Sequence, residues 1–202
     1  MNVSRLAHGV SWLLHPFLVP LYFLVILLTC TAFVNYPWSV KFYFLWVVVL
    51  YTMLIPVLAL VVLRKMGYVS DYKIDERHER ILPLLIGAVC YVLCAITIAK
   101  IPAALIIRKF MIAAAACELT CLAVSLRWKI SLHLTGMGAF VALLALLNVV
   151  DASNLIAPLC VAVLGAGMLA TARLYLGCHT PTQILAGFFN GFITATFVTL
   201  FF

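Results

Sequence analysis

Acidic side chains are scarce in this 202-residue chain: six Asp and Glu in all, four of them between positions 71 and 79. A two-metal centre for phosphoryl chemistry needs clustered carboxylates, so no metal cofactor is expected. Charge of either sign is rare, at 9% of residues, and no polar stretch is long enough for a separate soluble domain. Seven cysteines are present, but none form a CxxC pair, and their number is odd. A disulfide framework and a thiol metal motif are therefore not expected, and the redox compartment stays unread. Low-complexity tracts, linkers, internal repeats and lipidation motifs are missing too.

What remains is hydrocarbon. Two-thirds of the residues are hydrophobic (67%), and they fall in long runs broken by Pro, Gly and charged segments. About twenty apolar residues cross a bilayer as a helix, and these runs are too continuous for barrel strands. Spans are expected at 13–34, 41–63, 82–99, 104–126, 134–150, 155–172 and 184–202. The run from Val10 to Val34 is too long for a cleavable signal segment, so it reads as a retained first span. The expected fold is all-α: a polytopic membrane helical bundle of six to seven transmembrane helices. It forms one domain over 1–202, with its motifs between 73 and 183. Cys90/Cys94 and Cys117/Cys121 stand at i,i+4 within the runs and read as packing residues.

The formal charge of +7 sits at helix ends, as cations flanking membrane spans do. Nucleic acid is not an expected partner; membrane lipids of negative charge are.

Three segments concentrate the polar chemistry. Lys73 and Arg80 lie in DYKIDERHERILP, Ser131 and His133 in KISLHLTG, and Arg173 and His179 in ARLYLGCHTPTQ. Two expected spans separate the first from the second, and two more separate the second from the third. Two crossings return the chain to the same side, so all three segments are expected to face one pocket. That side carries nine Lys and Arg against four opposite. Setting aside Lys73, Arg80 and Arg173 leaves six against four, which does not decide the side.

Ionisable groups near hydrocarbon need a reason, and a phosphate supplies one. Arginine forks match phosphate oxygens, so Lys73, Arg80 and Arg173 are candidate ligands for it. Taken alone, 64–80 also reads as a salt-bridged loop. His179 precedes a helix start, where free N–H groups and the helix dipole favour an anion. A neutral imidazole is a competent nucleophile once its other nitrogen is hydrogen-bonded. Gln183, one turn on, is the candidate partner. His133 is placed to protonate a leaving group, and Ser131 to donate to a phosphate oxygen. Both residue types are also ordinary at a helix start.

The order Lys-x6-Arg, Ser-x-His, Arg-x5-His resembles the type-2 phosphatidic acid phosphatase (PAP2) superfamily. The resemblance covers residues 73 to 183. It implies a helical membrane phosphatase that works without metal, through a phosphohistidine on His179, with His133 as general acid. Lys73, Arg80, Ser131 and Arg173 would bind the phosphate. The implied substrate is a phosphomonoester or diphosphate on a lipid, polyprenyl diphosphate among them. The implied location is the bacterial inner (cytoplasmic) membrane. This chain departs from the family pattern in several places. Ile81 follows Arg80 where proline is usual, Ile130 and Leu132 replace a proline and a glycine, and Ala172 replaces a serine. Gln183 stands where the family has the aspartate that orients the nucleophile.

Two other readings are carried. One is an anionic-lipid-binding protein with little or no turnover; the other is a small anion transporter or channel. The second calls for polar residues along the spans, where Glu118 is nearly alone. Inside a span Glu118 is a functional candidate by default, but it reads as structural, either protonated or bonded to a hydroxyl such as Thr120. Cys178 lacks a partner set for nucleophilic work, and His8, His15 and His78 read as incidental.

Overall fold

The computed structural model describes residues 3–70, 78–101, 104–150 and 154–202. Lys73 and Arg77 lie outside the described residues, as does the side chain of His78. Among the described residues there is no β-strand. The helices are α1 (Val3–Leu13), α2 (Val19–Cys30), α3 (Trp38–Val49), α4 (Ile55–Lys65), α5 (Ile81–Ile98), α6 (Leu105–Ser125), α7 (Leu132–Val150), α8 (Ile156–Tyr175) and α9 (Pro181–Phe201). A π-helical turn, Leu50–Leu54, joins α3 and α4 into one rod, Trp38–Lys65. That rod, α5, α7, α8 and α9 are each long and apolar enough to cross a membrane. The fold is thus the all-α membrane bundle expected. The 21 residues of α6 match the predicted fourth span in length, but they carry Arg108, Lys109 and Glu118. Lys109 is satisfied by donating to the Thr199 carbonyl at the end of α9, 2.9 Å away.

The first expected span is where sequence and structure part. Residues 13–34 do not form one helix: α1 stops at Leu13, and the chain turns through Leu14–Leu18 before α2 begins. Pro16 supplies the cause, since it has no N–H to give and its ring clashes with the preceding turn. At 12 residues, roughly 18 Å, α2 is too short to cross the hydrocarbon alone. The turn packs on α7 at Gly136, which lies against Pro16 and Val19.

The tightest seam lies between α7 and α9. A Cβ at Gly191 would run into the Thr135 carbonyl, one at Gly187 into that of Ser131, and one at Gly138 into that of Phe188. Gly187 and Gly191 stand four apart on one face of α9, the small-xxx-small spacing that lets membrane helices approach closely. This seam sets the start of α7 against the start of α9. Ser131 N–H reaches the Gln183 carbonyl there at 3.4 Å.

The α8–α9 connection is equally determined. Gly177 has φ +65°, a left-handed conformation that glycine adopts without penalty. Its N–H bonds the Leu174 carbonyl, and the Cys178 N–H bonds that of Arg173, which is a Schellman close to α8. Three residues later Thr180 opens α9 with a capping box, its hydroxyl accepting from Gln183 N–H, and Pro181 occupies the first turn. His179 is held between these two closures.

Candidate active site

The three polar segments converge at one end of the bundle. Arg80 starts α5, His133 lies in the first turn of α7, Arg173 in the last turn of α8, and His179 just before α9. All four line a single cavity of about 180 Å³. From that end the cavity follows one face of α6 through Cys121, Glu118, Cys117, Ala114 and Phe110. The eleven helical steps from Phe110 to Cys121 correspond to roughly 16 Å along the helix. Leu60, Pro83, Leu84, Tyr91 and Ala139 make the cavity walls largely apolar. A cationic mouth over an apolar slot suits a charged head group on a hydrocarbon tail.

His179 is 8% exposed. Its Nδ1 stands 3.2 Å from Gln183 Oε1. The backbone N–H of Thr180 donates to the same oxygen at 3.1 Å. A backbone N–H only donates, so the atom it meets is the amide oxygen rather than the amide nitrogen. His179 is therefore the donor to Gln183, with its proton on Nδ1 and its lone pair on Nε2. Burial holds the imidazole down, to about 4, and the Arg173 guanidinium adds to this; the bond to Gln183 partly offsets it, and Arg80 and Lys129 lower it further. The ring is neutral at physiological pH, as a nucleophile requires.

Arg80 is 5% exposed and donates from Nη1 to the Ile130 carbonyl, 3.1 Å away. The bond ties the entry of α5 to that of α7. In Arg173 the Nε is buried with no hydrogen-bond partner among the described residues. Ser131 is not brought to the cavity wall. Its side chain is fully buried (0% exposed) against Gly187, its hydroxyl has no partner among the described residues, and its backbone N–H is what bonds here. Glu118 lines the cavity and lies against Gly87 of α5. Its Oε2 has no partner among the described residues, and the Thr120 hydroxyl bonds the Cys117 carbonyl instead.

Two residues escaped the sequence reading. His15, taken as incidental, lines the cavity from the Leu14–Leu18 turn, its ring centroid 5.1 Å from that of His133. A histidine followed directly by proline inside an apolar run was the available signal. Lys129, counted only as a flanking cation, acts electrostatically on His179.

Fold and cavity together define a class: an all-helical integral membrane protein with a cationic, histidine-bearing cavity at one end of its bundle. Comparison with family models, curated proteins and solved structures returned no match for this chain.

Proposed function

We propose that this protein is a membrane-embedded phosphatase that removes a phosphate from a lipid phosphomonoester or diphosphate without a metal, through a phosphohistidine on His179. One observation carries the reading: Arg80, His133, Arg173 and His179, drawn from four separate segments, line one cavity that continues into an apolar slot. In this reaction the Nε2 lone pair of His179 attacks phosphorus, and the bond to the leaving oxygen breaks. Water then attacks the same phosphorus and returns the electron pair of the P–N bond to His179. Arg80 and Arg173, with Lys73 as a further candidate, hold the three equatorial oxygens on which charge accumulates. His133 serves as acid to the leaving group, and Gln183 keeps the nucleophile in its reactive tautomer. The bacterial inner membrane is the proposed setting.

The test is phosphate release by the detergent-purified protein with a panel of lipid phosphates and diphosphates, EDTA present throughout. The proposal requires chelator-resistant turnover that disappears in His179→Ala. Folded protein that releases nothing from any lipid sinks it.

Gln183 also supports a second reading, an anionic-lipid-binding protein with little turnover, because an amide brings no negative charge to stabilise the histidine. In the serine-protease triad, the corresponding loss of a carboxylate costs about four orders of magnitude in rate. The analogy is partial, since a histidine attacking phosphorus gives up no proton to act as nucleophile.

A further inference from the structure

His15 has no part in the reaction as written above, yet it stands on the wall of the same cavity. Pro16 breaks the N-terminal run beside it and turns the chain there. The rings of His15 and His133 meet edge to face, 82° apart, with centroids separated by 5.1 Å.

A hydrogen bond fixes the polarity of the His15 ring. The backbone N–H of Phe17 donates to His15 Nδ1 at 3.3 Å. A ring nitrogen that accepts a hydrogen bond carries no proton, so His15 is neutral and its proton is on Nε2. His133 sits beside the Ser11 backbone, in the last turn of α1. A neutral imidazole keeps one unprotonated nitrogen, so His133 has a lone pair to offer. His15 has an N–H. Arg173 is an electrostatic neighbour of both rings and of His179.

Resting on the phosphatase reading, we infer that His15 is a third functional histidine whose Nε2–H binds the leaving group, and that the site is built for a diphosphate on an apolar carrier rather than a phosphomonoester. A neutral imidazole N–H is a good donor that does not give its proton away at neutral pH. An alkoxide must be protonated as it departs, whereas a phosphate departs as an anion and needs hydrogen bonds and positive charge. His179 Nε2 attacks the terminal phosphorus, and the bond from that phosphorus to the bridging oxygen breaks. Its electron pair stays on the leaving lipid monophosphate, which His15 and Arg173 hold. Water then attacks the phosphohistidine, and the P–N pair returns to His179. The His133 lone pair takes the water's proton and passes it to the phosphate products. This moves His133 from the acid of the reading above to the base of the second step, and makes His15 the donor in the first.

Farnesyl diphosphate and farnesyl phosphate share a tail and differ only in the leaving group. The wild-type protein is expected to favour the diphosphate in kcat/KM by tenfold or more. His15→Ala lowers both substrates, with the diphosphate losing about 30- to 100-fold and at least ten times more than the monophosphate. His15→Gln, which keeps an amide N–H near the Nε2 position, recovers most of that selective loss. Binding of inorganic pyrophosphate and phosphate to the same proteins gives a readout that needs no turnover. His15→Ala should weaken pyrophosphate about tenfold more than phosphate. Equal losses for both substrates, or for both anions, with an active wild type would overturn the role of His15 and leave the phosphatase reading standing. A wild type that neither turns over nor binds any of the four would remove both.

Discussion

His179 gives its Nδ1 proton to Gln183 Oε1 across 3.2 Å, and that oxygen also accepts the Thr180 N–H that opens α9. The capping box therefore fixes the tautomer of the nucleophile: the amide cannot flip without breaking the helix cap. A residue with an apolar side chain at 183 would lose both bonds. Gln183→Leu is expected to lower kcat by about 100-fold or more while leaving the helical content unchanged, as read by phosphate release beside circular dichroism. Gln183→Asp keeps an acceptor and adds charge, and should raise kcat by tenfold or more. An aspartate variant no faster than wild type would show that charge at this position is not what limits the rate.

The pH dependence of the nucleophile follows from its surroundings. Burial, then Arg173, holds His179 down to about 4, against an ordinary value near 6.5. The ring therefore stays neutral as pH falls through 6.5 and takes up its proton only near pH 4. A titration of the His179 ring signal by NMR, assigned with His179→Ala, should have its midpoint close to 4. In Gln183→Asp the added carboxylate favours the imidazolium, so the midpoint moves up. A wild-type midpoint at 6.5 would mean that the ring is solvated and unpaired with the cations.

Arg80 is bound to the Ile130 carbonyl. Lysine preserves the charge but not the fork that reaches a carbonyl and a phosphate oxygen together. Arg80→Lys is therefore expected to cost about 10- to 100-fold in kcat/KM, and Arg80→Gln more than that. Equal activity of the lysine variant would reduce Arg80 to a point charge.

The glycine seam predicts a stability effect with a functional consequence. At Gly191 a methyl group meets the Thr135 backbone, which has no rotamer to yield. Gly191→Ala should destabilise the protein by about 1–3 kcal/mol and lower its melting temperature in detergent. Because α7 and α9 carry His133 and His179, activity should fall alongside. Gly167, with open space around its Cα, is the control: Gly167→Ala should leave the melting temperature unchanged or raised.

Much of this arrangement was legible in the sequence because hydrophobic runs and their polar breaks are strong signals. The boundaries of α5 to α9, and the common side shared by Arg80, His133, Arg173 and His179, follow from counting spans. The break at Leu14–Leu18 did not, since Val10 to Val34 is apolar enough to mask the effect of Pro16, and His15 was lost with it. Ser131 was misplaced for a different reason. Position relative to His133 says which turn a residue is in, but not which face Gly187 leaves open for its side chain. Nor does spacing give the state of Gln183, which needed the Thr180 N–H to fix the direction of its amide. The carboxylate of Glu118 was legible as unusual but not as part of the cavity wall.

The most direct test of the account is to trap the reaction itself. Wild-type protein mixed with a lipid diphosphate and quenched in alkali should carry an acid-labile phosphoryl group, mapped by mass spectrometry to the peptide containing His179. The label should appear without added metal and be absent in His179→Ala. A phosphoryl group on another residue, or turnover in which no phosphoenzyme can be trapped and His179→Ala remains active, would contradict the central claim.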